Sequence, residues 1–65
     1  MPKKNSLVVL KETLTNAAGE QFRKGEMMRV YSKMPKTKNL YCLVRVRGLG
    51  CIFNVPTNLL KQHSN

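Results

Sequence analysis

The amino-acid sequence predicts a small all-β protein in which about five short strands close into a barrel. The chain has 65 residues, and a chain of this size buries only about 60% of the surface that its unfolded form exposes. That length excludes a two-domain enzyme and a large internal cavity. Apolar residues alternate over short segments bounded by Gly, Pro and Asn, and a helical period fits no segment without placing charge in the core.

The first half of the chain is predicted to contain two strands separated by a loop. The first strand covers residues 6–13, where β-branched apolar residues are bounded by polar ones. Residues 15–20 carry turn residues and form an excursion loop, and residues 23–26 form a turn in which Gly25 supplies a positive φ. Residues 27–33 alternate as the second strand. Met28, Val30 and Ser32 share its inner side, and Arg29, Tyr31 and Lys33 share its outer side.

The second half is predicted to be a hairpin followed by a short closing strand. Residues 34–39 form a polar loop, and residues 40–55 form two strands joined by a two-residue turn at 48–49. This register places the apolar side chains on one face in facing pairs. The pairs are Val46 with Cys51, Val44 with Phe53, and Cys42 with Val55. Residues 57–59 suit one helical turn, and residues 60–61 a last strand.

The order of these features resembles a Src-homology-3 domain. Residues 22–30 resemble that family's Phe-x-Lys-Gly-Asp/Glu turn and second strand, residues 43–45 resemble its third strand, and residues 55–60 are similar to its closing Ile/Phe-Pro-Ser-Asn-Tyr-Val. The resemblance implies a five-stranded Src-homology-3-like barrel with one short 3-10 turn near the C-terminus. Its core would include Val30, Val44, Val55 and Leu60. The chain would divide into a flexible basic tail (1–5), the barrel (6–61) and a flexible C-terminal tail (62–65).

The peptide groove of that family, a row of aromatic side chains that docks Pro-rich helices, is largely replaced here. The family's Ala-Leu-Tyr-Asp-Tyr segment corresponds to Val-Val-Leu-Lys-Glu at residues 8–12, so both tyrosines are missing. The residual groove positions are Tyr41, Pro56, Asn58 and Leu59. The resemblance therefore implies the fold without Pro-x-x-Pro recognition, as in prokaryotic or phage-type barrels that keep the fold and lose the groove.

The side chains needed for catalysis or metal binding are not brought together by the sequence. His63 is the only histidine, the three glutamates lie in separate segments, and a zinc site needs about four Cys or His ligands. We therefore expect no enzymatic activity, no metal and no cofactor. Cys42 and Cys51 are expected to be free thiols packed as small core hydrophobes. No apolar run reaches the ~18 residues of a membrane span and no export signal is evident, which favours a cytoplasmic protein.

The charge predicts a polyanionic partner. Twelve Lys and Arg residues face three acidic residues, for a formal net charge of +9, and such an excess favours nucleic acid or an acidic surface. If the second and third strands pair, Tyr31 lies near Tyr41 and Arg29 near Leu43. Tyrosines stack on bases, and Arg and Lys bind phosphates, so the sequence predicts a small DNA- or RNA-binding protein. The predicted binding residues are Arg29, Tyr31, Lys33, Lys36, Lys38, Tyr41, Arg45 and Arg47.

Two alternatives to nucleic-acid binding stay open at this point. The charged face can simply be solvated and keep a small protein soluble. The chain can instead be a protein-interaction module, an adaptor, subunit or inhibitor, that docks an acidic protein surface through the residual groove and exposed Leu40 or Leu49. No membrane attachment is expected, since there is no amphipathic helix and no lipidation signal. The small core and open strand edges allow a homodimer.

Overall fold

The computed structural model describes residues 3–33 and 40–63, and within these ranges the fold is all-β, as predicted. The strands are β1 (Leu7–Leu10), β2 (Leu14–Thr15), β3 (Gln21–Phe22), β4 (Met27–Lys33), β5 (Leu40–Arg45), β6 (Cys51–Pro56) and β7 (Leu60–Gln62), and the 3-10 turn η1 spans Thr57–Leu59. The predicted turn at η1 and the short closing strand β7 are confirmed. Among the described residues, no helix is long and apolar enough to cross a bilayer.

The described strands form two antiparallel sheets that are not closed into a barrel. Five strands pair in the order β6-β5-β4-β1-β7, and β2 and β3 form a separate two-stranded hairpin. The prediction of a five-stranded closed barrel is therefore wrong, because seven strands are present in the described ranges and the sheet keeps two edges, β6 and β7. The hairpin strands have two residues each, which is too short to join those edges.

The segment predicted as an excursion loop is the turn of the β2–β3 hairpin. Asn16 makes this turn because its side-chain Oδ1 accepts hydrogen bonds from the backbone N–H groups of Ala18 (3.1 Å) and Glu20 (2.9 Å). Such Asx turns supply locally the hydrogen bonds that a reversing backbone needs. Gly19, with a φ of 87°, completes the reversal. Leu14 and Thr15 can then pair with Phe22 and Gln21.

The hydrophobic core lies between one face of the five-stranded sheet and the β2–β3 hairpin. Alternate residues of the strands point to this side, and Phe22 of β3, which is fully buried, ties the hairpin to the sheet. Burial of side chains of this kind contributes about 1.5–3 kcal/mol each. Val30, Val55 and Leu60 are in the core as predicted, whereas Val44 is half-buried on the opposite face. The core comprises Val8, Leu10, Phe22, Met28, Val30, Tyr41, Leu43, Ile52, Val55 and Leu60.

The register predicted for the β5–β6 hairpin is wrong. Val44 pairs with Cys51 and Leu43 with Ile52, so the connection is longer than the predicted two-residue turn. The hydrogen bond that closes this connection runs from the Arg45 N–H to the Gly50 carbonyl and is 3.0 Å long. Gly48 and Gly50 have positive φ values of 90° and 137°. Because glycine adopts such conformations without a steric penalty, these two residues permit the wider turn. The predicted pairs of Val46 with Cys51, Val44 with Phe53 and Cys42 with Val55 do not form, and Val46, Cys51 and Phe53 are exposed.

Two register irregularities interrupt the pairing of β5 with its neighbours, and in each the extra residue lies in the neighbouring strand. One lies between Val30 and Ser32 in the β4–β5 pair, and the other between Tyr41 and Leu43 in the β5–β6 pair. Three consecutive residues of β5, including Cys42, are buried, so this part of the strand is covered on both faces. Lys33, not Tyr31, is paired with Tyr41, and Val44, not Leu43, is paired with Arg29. The two predicted contacts are therefore wrong.

Candidate nucleic-acid interface

An exposed basic row runs along the middle strand of the five-stranded sheet. Arg29, Tyr31 and Lys33 are all exposed along β4, while Met28 and Val30 are buried. The register shift between Val30 and Ser32 pairs Lys33 with buried Tyr41, whereas Arg29 pairs with half-buried Val44, so the predicted common side of Arg29 and Lys33 is not kept. Tyr31 is 59% exposed. β4 pairs with β5 as far as Lys33 but with β1 only as far as Arg29, so the backbone of Arg29 is held on both sides. Arg29 pairs with half-buried Leu7 of β1 and half-buried Val44 of β5.

The N-terminal segment adds two lysines to this row. The Asn5 N–H donates to the Val30 carbonyl (2.7 Å), and the Val30 N–H donates to the Ser6 carbonyl (2.9 Å), so the chain before β1 continues alongside β4. The Arg29 Nη1 donates to the Asn5 carbonyl at 3.2 Å. Exposed Lys3 and Lys4 therefore lie within two residues of the carbonyl that Arg29 contacts. We call Lys3, Lys4, Arg29, Tyr31 and Lys33 the β4 basic surface.

The acidic residues lie elsewhere in the fold. Glu12, Glu20 and Glu26 fall in the segments that form or flank the β2–β3 hairpin, and none lies in a strand of the five-stranded sheet. Glu20 accepts a hydrogen bond from the Asn16 Nδ2 (2.9 Å). Within the described ranges the only ion pair is between Glu26 and Arg45. The β4 basic surface therefore keeps its positive charge without a neutralising carboxylate.

Arg45, predicted to bind nucleic acid, is instead held inside the fold. Its Nη2 donates to the Gln21 carbonyl at 2.7 Å, its Nη1 lies 3.6 Å from the Glu26 carboxylate, and its guanidinium stands 4.3 Å from the centre of the Phe22 ring. Its Nε is buried without a hydrogen-bond partner in the described part of the chain. Arg45 thus joins β5 to the hairpin through a cation–π contact and a charge-assisted hydrogen bond.

The other predicted binding residues divide between the surface and the core. Tyr41 is only 2% exposed, so the expectation that it faces outward beside Tyr31 is wrong and the pair of stacking platforms does not exist. Arg47 is exposed in the connection after β5. Lys36 and Lys38 lie outside the described residues. Sequence reasoning missed the position of Lys3 and Lys4 because the backbone bonds that place them, from Asn5 and Ser6 to Val30, leave no local signature.

An apolar groove of about 610 Å³ lies on the side of the molecule formed by β6 and the hairpin. It is lined by residues 14–18, by β6 and by Leu59. Of the residual groove positions derived from the sequence, Pro56 and Leu59 line it, while Asn58 is exposed outside its lining and Tyr41 is buried. The aromatic side chain that the groove does contain is Phe53, which is 57% exposed.

The two cysteines are free, but only Cys42 is buried, so the prediction that both pack in the core is half right. Burial raises the pKa of the Cys42 thiol, and the nearby Cys51 thiolate adds to the rise. A raised pKa leaves less thiolate at a given pH, and the thiolate is the reactive form.

We expect iodoacetamide at mildly alkaline pH to alkylate Cys51 quickly and Cys42 only after unfolding, as read by peptide mass spectrometry. The control Cys51→Ser should show no fast labelling; fast labelling of its Cys42 would contradict the packing described.

Comparisons of the chain with protein-family models, with curated proteins and with solved structures found no match. Within residues 3–33 and 40–63, no group of three or more His, Cys, Asp or Glu side chains is placed to hold a metal ion.

Proposed function

We propose that this protein binds nucleic acid through the β4 basic surface. The observation that carries the proposal is the segregation of charge: Arg29 and Lys33 are exposed on the central strand, Lys3 and Lys4 precede the Asn5 carbonyl that Arg29 contacts, and every glutamate lies in or beside the hairpin. A surface of one sign on a rigid sheet attracts a polyanion and releases its counterions on binding.

The side chains of this surface would make different contacts with the nucleic acid. Lys3, Lys4 and Lys33 would each neutralise a phosphate, and Arg29, oriented by its bond to the Asn5 carbonyl, keeps free N–H donors for a bidentate phosphate contact. Tyr31 offers one exposed ring for stacking on an unpaired base. With one such ring and no side chain placed to read base edges, binding would depend on phosphate contacts and be only weakly selective for sequence.

A relationship to Src-homology-3 domains is part of the same proposal. Its support is the position of the three resembling segments: the turn at Gly25 leads into β4, residues 43–45 lie in β5, and Pro56 and Asn58 stand at η1 just before β7. The relationship would concern the order of elements, since the sheets here are not closed.

The test is a salt series of binding to duplex DNA, single-stranded DNA and RNA. If the four cations of the β4 basic surface each neutralise one phosphate, log K on duplex DNA should fall with log salt with a slope of about −3.6, and on single strands of about −2.8. Affinity for duplex should then drop roughly 150-fold between about 50 and 200 mM salt. Absence of binding at about 50 mM salt, or affinity that does not respond to salt, would refute the proposal.

A further inference from the structure

The open edge of β6 is a second recognition feature, separate from the β4 basic surface. β6 ends the five-stranded sheet, so within residues 3–33 and 40–63 no strand lies beside one side of its backbone. Proteins protect such edges with short strands or with lysines. The opposite edge strand, β7, has both protections, since it is three residues long and contains Lys61. β6 has neither over its six residues, Cys51–Pro56, which carry no charge. A register irregularity after Ile52 and the proline at its end protect its second half, as bulges and prolines do, and leave residues 51–53 open.

The hydrogen bond between Arg45 and Gly50 fixes which backbone groups of β6 are available. The Gly50 carbonyl accepts from Arg45, so Gly50 faces β5. Backbone groups of successive residues in an antiparallel pair point to alternate sides, so Ile52 also faces β5 while Cys51 and Phe53 face outward. An independent contact agrees, because the Asn16 Nδ2 reaches the Cys51 carbonyl from the hairpin at 2.9 Å.

The Phe53 N–H donor therefore points outward at this edge, beside the Cys51 N–H. No hydrogen bond from the hairpin reaches Phe53 among the described residues. Farther along, Asn54 adopts a left-handed conformation with a φ of 61°, and Pro56 has no N–H. Regular pairing with a new strand is thus centred on Phe53.

These outward groups border the groove of about 610 Å³ described above. Its size lies in the usual ligand-site range of about 300–1,000 Å³. Leu14 and Leu59, which pack on the core, contribute apolar surface to its lining. Side chains of a strand alternate between two faces, so a strand added to β6 would bury every second side chain against this lining. The geometry selects an extended segment with apolar residues at alternate positions.

The charge of the chain indicates which kind of residue occupies the remaining positions of that segment. A second copy of this chain would bring +9 against +9, and such self-repulsion opposes association. A segment whose alternate residues are acidic is instead attracted by the net charge, and attraction of this kind speeds encounter and favours the correct partner. We propose that the β6 edge binds an extended acidic and apolar segment of another protein by strand addition. This inference goes beyond nucleic-acid binding and uses none of the residues of the β4 basic surface.

The probe is the synthetic peptide acetyl-Glu-Val-Glu-Ile-Glu-Val-Glu-amide, titrated to about 1 mM and followed by amide NMR. We expect shifts centred on the amides of Cys51 and Phe53 and slower hydrogen exchange of the Phe53 N–H. Two N-methylated versions of the peptide separate strand addition from side-chain docking. In one peptide the methylated amides are the alternate ones that would point toward β6, and this methylation should weaken binding at least about tenfold. In the other peptide the methylated amides point away from β6, and affinity should not change. An equal loss of affinity for the two methylated peptides, or an unchanged chemical shift of the Phe53 amide, would overturn the proposal.

A pair of variants tests the same edge from the protein side. Phe53→Pro removes the outward N–H, and Phe53→Ala removes the ring but keeps that donor. We expect the proline variant to bind the peptide at least about tenfold more weakly than the alanine variant; equal affinities would contradict strand addition. If the proline variant does not fold, the two methylated peptides decide. Sedimentation without peptide tests whether a second copy of the chain occupies this edge instead. A dimer of the natural chain that Phe53→Pro abolishes would overturn the acidic segment in favour of that second copy.

Discussion

Arg45→Ala is expected to lower the free energy of unfolding by about 2–4 kcal/mol. The substitution removes the bond from Nη2 to the Gln21 carbonyl and the contact over the buried ring of Phe22, and it leaves Glu26 without its partner. The Arg45 and Glu26 side chains are each 23% exposed, so the ion pair itself is partly screened and contributes the smaller share. Since a chain this small has only about 3–5 kcal/mol in total, the variant should be largely unfolded near physiological temperature.

The matched control is Arg47→Ala, two residues along the chain. Arg47 is exposed, and no contact of its side chain is seen in the described part of the structure, so its loss should change stability by no more than about 0.5 kcal/mol. Urea denaturation of the two variants beside the natural chain measures the difference. Equal stabilities would show that Arg45 is a surface cation, as its sequence position first indicates, and not the link between β5 and the hairpin.

The double variant Arg29→Gln with Lys33→Gln should weaken binding to duplex DNA by about tenfold or more at about 50 mM salt. Both side chains are exposed on β4, so their replacement should leave the fold intact while removing half of the cations of the β4 basic surface. Thermal unfolding of the variant checks this. Retained stability together with lost affinity is the expected combination.

The control for that variant is Arg23→Gln with Lys24→Gln. It removes one arginine and one lysine as well, so the net charge falls by the same amount, but both residues are exposed at the turn before β4, next to the hairpin. If affinity depends on the location of charge, this control should bind nearly as tightly as the natural chain. If the two double variants lose affinity equally, only the net charge matters and the β4 basic surface is not a site.

Regular alternation made some parts of the fold predictable. β4 alternates without interruption up to Val30 and is paired on both sides, so the buried positions of Met28 and Val30 and the exposed position of Arg29 follow from the sequence. The turn at Gly25 and the 3-10 turn after Pro56 follow from residues with restricted or permissive backbones. Such features depend on neighbours within a few positions.

The mistaken expectations depend on contacts that are distant in the chain. Tyr41 is buried because it lies two residues from Leu43 on the face of β5 that packs in the core, the face that the sequence predicted to point outward. Arg45 is drawn inward by Gln21 and Phe22, which lie more than twenty residues earlier. The open sheet arises because the hairpin pairs only with itself. The candidate site was therefore predictable along β4 and not beyond it.

The most direct measurement of the central claim is the slope of log K against log salt on duplex DNA for the two double variants. If Arg29 and Lys33 each contact a phosphate, their replacement should reduce the magnitude of the slope by about 1.8 relative to the natural chain. The variant at positions 23 and 24 should keep the natural slope. A slope unchanged by the substitutions at 29 and 33, or reduced equally by both pairs, would contradict binding through the β4 basic surface.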